Sequence, residues 1–120
     1  MNTKHLLVIE DDQDIKDILE TILTMEGHTV TTISETPNII QTVLETKPDL
    51  IITDYILQGI NGGEYCSQIK QHPETAHIPV IILSAYDKVL GSLGHYKADL
   101  IIHKPFDNDN LCQNVAELLT

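Results

Sequence analysis

Basic residues are scarce in this chain. Seven lysines and arginines stand against eighteen aspartates and glutamates, giving a formal charge of -11 over 120 residues. Such a surface repels phosphate backbones, which makes this chain alone a poor candidate for nucleic-acid binding. Cysteine is nearly absent: Cys66 and Cys112 are far apart and form no CxxC pair. Two reduced thiols are therefore expected, rather than a disulfide or a metal knuckle. No apolar run reaches the length of a membrane span. Met1 to His5 leads into a short apolar segment without the pattern of a signal peptide, so a cytoplasmic protein is expected. Internal repeats, low-complexity stretches and linkers are missing, which predicts one domain over residues 1–120. A glycine-rich phosphate loop with its lysine is missing too, as is the ligand spacing of a calcium loop. The six histidines show no ligand spacing.

What the chain does have is alternation of two patterns. Leu6–Ile9, Leu50–Ile52, Val80–Leu83 and Leu100–Ile102 are short, nearly continuous apolar runs, as in strands covered on both faces. His28–Ile33 alternates and is more polar, which suits an edge strand. Between them lie helical patterns. Ile15, Ile18, Leu19, Ile22 and Leu23 make an amphipathic stripe ended by Gly27. A second helix opens near Pro37, a third covers Gly63 to Gln71, and a fourth, around Tyr86 to Tyr96, is weakened by Gly91 and Gly94. A fifth starts in Asp107-Asn108-Asp109 and buries Leu111, Val115, Leu118 and Leu119. Strict alternation of strand and helix predicts a doubly wound α/β fold: a five-stranded parallel sheet with helices on both faces. Chemistry in such folds collects beyond the carboxyl ends of the strands.

The residues at those ends form an unusual set. The first strand runs into Glu10-Asp11-Asp12, the third into Thr53-Asp54, the fourth into Ser84-Ala85 and the fifth into Lys104-Pro105. Taken singly, Asp11 and Asp12 could be helix caps, and Lys104 a solvated lysine. Taken together, they place several carboxylates, a hydroxyl and an ammonium on one rim. Two like charges about 4 Å apart repel by roughly 4 kcal/mol at an effective dielectric near 20, so Asp11, Asp12 and Asp54 call for a cation. Oxygen-only donors with room for water favour Mg2+. A carboxylate can accept a phosphoryl group, and a metal and a lysine can neutralise the charge in transit.

With these residues in place, the chain resembles the receiver domain of two-component response regulators, the CheY-like family. The resemblance rests on Val8-Ile9-Glu10-Asp11-Asp12, Ile51-Ile52-Thr53-Asp54-Tyr55, Gly59-Ile60-Asn61-Gly62, Pro79 to Ala85, and Lys104-Pro105-Phe106, in order along the whole chain. It implies a flavodoxin-like strand order 2-1-3-4-5 and a phosphoacceptor switch rather than a conventional enzyme. By this resemblance Asp54 is the phosphoacceptor, and Asp12 and Asp54 bind Mg2+ with the backbone carbonyl of Ile56, while Asp11 acts largely through water. Ser84 is the hydroxyl that follows the phosphoryl group, Lys104 pairs with it, and the Lys104-Pro105 peptide is cis. The implied donor is a sensor histidine kinase or a histidine phosphotransfer protein. The output face would be helix 4, strand 5 and helix 5, with a phosphorylation-dependent dimer as one open form of output. Neither nucleic acid nor membrane is implied as a direct partner.

The chain also departs from the family pattern. The usual switch aromatic falls on Ile101, Gln58 stands where proline is frequent, Gly63 where a large apolar residue is common, and Lys97 replaces a frequent glycine. Bulky Ile56 and Tyr86 flank the expected path of attacking water and predict a long-lived phosphoryl group. Two rivals remain at this stage. A haloacid-dehalogenase-like phosphatase would want a second aspartate two residues after Asp54, where Ile56 stands. A docking module on the same fold would never accept phosphate.

Overall fold

The apolar runs become the middle of a parallel sheet. The computed structural model describes residues 4–55, 61–85 and 97–120. Five strands, β1 (His5–Ile9), β2 (Thr29–Ile33), β3 (Leu50–Asp54), β4 (Val80–Ser84) and β5 (Leu100–His103), lie in the order β2-β1-β3-β4-β5, all neighbours parallel. The order reverses at β1, whose carboxyl end faces that of β3 across the switch point where such folds place their chemistry. β3 and β4 are buried along their whole length, while the polar edge strand β2 is half-exposed.

Side chains alternate between the two faces, each covered by two described helices. On one face Leu7, Ile9, Ile51, Val80 and Ile82 pack with Ile39 and Val43 of α2 (Ile39–Thr46) and Tyr65, Cys66 and Ile69 of α3 (Gly62–Gln71). On the other, Leu6, Val8, Leu50, Ile52, Ile81, Leu83 and Ile102 pack with Leu19 and Leu23 of α1 (Gln13–Met25) and Leu111 and Val115 of α4 (Asn108–Leu118). α4 is the fifth of the helices predicted from sequence. The predicted helix around Tyr86 to Tyr96, with Gly91 and Gly94, falls outside the described residues.

Helix starts follow their caps. Asp12, Asn38, Asn61 and Asp107 each accept a backbone N–H from the first turn, which leaves Pro37 before α2 rather than in it. The stripe on α1 is narrower than expected, since Ile18 remains 47% exposed. Two further fastenings tie the elements together. The buried Tyr65 hydroxyl donates to Thr36 O (3.0 Å) and accepts Thr36 N–H (3.1 Å), tying α3 to the loop before α2. Lys70 Nζ, at the end of α3, donates to Ile78 O (2.7 Å) and Ala76 O (3.3 Å) and pairs with Asp99 (2.7 Å), whose carboxylate also takes Val80 N–H.

Candidate functional site

Register decides which acidic residues meet. In β1 and β3, Ile9 stands beside Thr53, so the next residues, Glu10 and Asp54, continue on the face that carries Val8 and Ile52. Both carboxylates are buried at the strand ends, Glu10 1% and Asp54 7% exposed. Asp11, the next residue along, is exposed, and Glu10, Asp11 and Asp54 can each bring one carboxylate oxygen within 4.8 Å of the others. Lys104 follows Ile102 of β5 by two positions, on the same face, and its ammonium lies 2.7 Å from Asp54 Oδ1 and 3.2 Å from Glu10 Oε2. Its own N–H is held by Ser84 O at 2.8 Å. The Lys104-Pro105 peptide is cis, as the family resemblance implied.

Here the structure differs from the sequence expectation on two points. Asp12 is not a member of the carboxylate cluster. It lines the same cleft, but its Oδ1 caps α1 by accepting Ile15 N–H at 3.1 Å. Glu10, for which no role was expected, takes the buried place beside Asp54 and also accepts Asp12 N–H at 3.1 Å. Three acids in a row cannot be apportioned until the end of the strand and the start of the helix are known. Strand parity, counted from Val8, would put Glu10 and Asp12 alike on this face, and the pairing of β1 with β3 decides between them. Ser84 is buried at the end of β4, and the following Ala85 lines the cleft. Ile56, whose carbonyl was expected near a metal, lies outside the described residues.

Electrostatics make the cleft a place of competing charges. Burial pushes Asp54 above the ordinary aspartate range, against the hydrogen bond and charge of Lys104. Burial does the same to Glu10, and the charge of Asp54 adds to it. Lys104 is itself partly desolvated, but its bond to Asp54 and the two negative charges raise its pKa. One ammonium therefore serves two buried carboxylates with a third nearby, a set that still favours additional positive charge. The donors are all oxygens, the cleft of about 230 Å³ leaves room for water, and its rim is open; this donor set suits Mg2+ and not zinc or copper.

A glycine closes the site from behind. A β-carbon at Gly62 would fall inside the contact distance of the Asp54 backbone carbonyl and 2.9 Å from Thr53 Oγ1. α3 can start this close to β3 only because position 62 carries no side chain. The family motif had marked this glycine, and the crowding gives the reason for it.

A parallel sheet of order 2-1-3-4-5 with acids at β1 and β3 and a lysine after β5 defines a receiver-type phosphoacceptor. The chain belongs to the response regulator receiver domain family, whose description matches residues 6–116. Receivers of this family are signalling domains of two-component systems that bind Mg2+ at an acidic pocket. The response regulator ArlR of Staphylococcus aureus is 38% identical over 119 residues, covering 96% of this chain and 52% of ArlR. The chain thus spans about half the length of that relative. Among solved structures, a response regulator from Chloroflexus aurantiacus is 28% identical with a TM-score of 0.88, covering 98% of both chains. The receiver domain of a histidine kinase from Syntrophus aciditrophicus is 27% identical with a TM-score of 0.91, covering 98% of this chain and 90% of that one. TrrA of Thermotoga maritima, solved with Mg2+ and BeF, is 28% identical with a TM-score of 0.87, covering 97% of this chain and 99% of that one. Among the described residues, no helix is long and apolar enough to cross a membrane.

Proposed function

We propose that Asp54 is the phosphoacceptor of this receiver and that a phosphohistidine, on a sensor kinase or a phosphotransfer protein, is its donor. The observation that carries this is the Asp54 carboxylate itself, buried at the end of β3 and held 2.7 Å from Lys104 in the acidic cleft. One Asp54 oxygen attacks phosphorus, the P–N bond breaks, and the imidazole nitrogen leaves with that electron pair. The product is an acyl phosphate on the aspartate. Asp54 must be ionised to attack, and Lys104 opposes the effect of burial on its pKa. When transfer occurs, Lys104 is within reach of a phosphoryl oxygen on Asp54.

Asp11 and Asp54 would hold Mg2+, with Glu10 beside them and Asp12 closing the rim as a cap. The ion supplies charge neutralisation for the phosphoryl oxygens. Ser84 is the hydroxyl placed to follow the phosphoryl group. The same site would catalyse its own later hydrolysis. The output surface would involve β5 and α4 and act on a downstream protein in the cytoplasm, through either a docking or a dimerisation step. Ile101, half-buried against the α2–α3 core, would transmit the change by packing alone, since it has no polar tip.

The test is intact-mass spectrometry after acetyl phosphate with Mg2+, on wild type and Asp54→Asn. One phosphoryl adduct on wild type and none on the variant supports the assignment. An adduct of equal yield on Asp54→Asn refutes it.

A further inference from the structure

The acceptor's side chain is only as well placed as its backbone, and that backbone is gripped from the face opposite the cleft. Thr53 Oγ1, fully buried, donates a hydrogen bond to the Asp54 carbonyl at 3.1 Å. The same hydroxyl borders the space where a Gly62 side chain would be, and Gly62 N–H donates to Tyr55 O at 2.8 Å. Apolar residues fill this face below it, Ile51 from the same strand and Ile82 beside Thr53 in β4. A valine of nearly the same shape would suit those neighbours. A buried hydroxyl here needs a reason, and it bonds the residue proposed to react.

We propose that Thr53 is a positioning residue for phosphoryl transfer: its hydroxyl fixes the peptide after Asp54 and thereby aims the carboxylate at Lys104 and the acidic cleft. Asp54 is the last residue of β3, where the ladder ends and no further strand pairing holds its carbonyl. The Thr53 hydroxyl takes over at that point, from the side that the reactants do not occupy. Precise placement of a reacting carboxylate depends on such supporting bonds. The inference rests on Asp54 being the acceptor.

The experiment compares Thr53→Val, Thr53→Ser and Thr53→Ala with wild type. The rate of Asp54 adduct formation from acetyl phosphate and Mg2+ is followed by intact mass, and the urea midpoint of each protein is recorded alongside. Serine and alanine both lack the threonine methyl and differ from each other only by the hydroxyl, so this pair remains decisive even if the valine variant does not fold. Loss of one neutral hydrogen bond corresponds to roughly a fivefold slower reaction. Thr53→Ser should react near the wild-type rate, and Thr53→Ala and Thr53→Val about fivefold slower at full folding. Serine as slow as alanine, or valine as fast as wild type, overturns the proposal and leaves Asp54 as acceptor intact. Absence of any adduct on wild type overturns both.

Discussion

Lys104 Nζ lies 2.7 Å from Asp54 Oδ1, and the same ammonium reaches Glu10 at 3.2 Å. One cation is thus divided between two desolvated anions, and a third carboxylate, on Asp11, stands by. Adding a divalent ion or removing one negative charge should relieve the same imbalance. In EDTA at neutral pH, Asp54→Asn should be more stable than wild type by about 1 kcal/mol. Saturating Mg2+ should stabilise wild type by about 1–3 kcal/mol and the variant far less. Thermal melts with and without Mg2+ check both; an equal response in the two proteins would show that Asp54 is not a ligand.

Gly62 tolerates no side chain. Gly62→Ala would press a methyl group onto the Asp54 carbonyl and Thr53, so α3 or the strand end must shift. The expected cost is about 2–4 kcal/mol in urea denaturation, with phosphorylation slowed beyond what the loss of folded protein explains. A variant of unchanged stability would contradict the packing described.

Among the described residues, two lysines sit in left-handed backbone, Lys47 at the end of α2 (φ 52°) and Lys97 before β5 (φ 62°). Side chains in that region carry strain that glycine does not. Lys97→Gly and Lys47→Gly should each be neutral to stabilising by up to about 1 kcal/mol, the strain relief outweighing the looser unfolded chain. Clear destabilisation of both in chemical denaturation would count against it.

The two thiols should behave differently. Burial pushes Cys66 up to about 11, whereas Cys112 is half-exposed, with burial and then Glu26 and Asp109 raising its pKa. Iodoacetamide at pH 8 should modify Cys112 slowly and Cys66 only after unfolding. Because the folded state holds the Cys66 proton more tightly, that contribution to stability is complete below the ordinary thiol value of 9.0. It is lost as pH rises through about 11, and the full displacement is worth on the order of 2–3 kcal/mol. Urea midpoints between pH 9 and 11 should therefore fall for wild type more than for Cys66→Ala.

How far the sequence reached depended on whether a pattern was local. The runs Leu6–Ile9, Leu50–Ile52 and Val80–Leu83 are strands because continuous burial writes itself into consecutive residues. The caps at Asp12 and Asp107 are equally local, each bonding two or three residues ahead. The role of Glu10 is not local. It follows from the pairing of Ile9 with Thr53 and from the reach of a lysine 94 positions away. A sequence shows three adjacent acids there, and only the register between β1 and β3 separates the buried one from the exposed one and from the helix cap. Gly62 is similar, since the atoms it makes room for belong to another element.

The sheet carries a lysine fastening near each pole, and the two are built from different materials. At one pole Lys70 is bound by two main-chain oxygens, those of Ala76 and Ile78, which no solute can exchange, besides its pairing with Asp99. At the other, Lys104 has carboxylates for company, and carboxylates can be claimed by an ion, esterified or protonated. Chelators and phosphate donors should work on the second fastening and pass the first by. The protein is stitched shut where nothing happens and merely buttoned where something does.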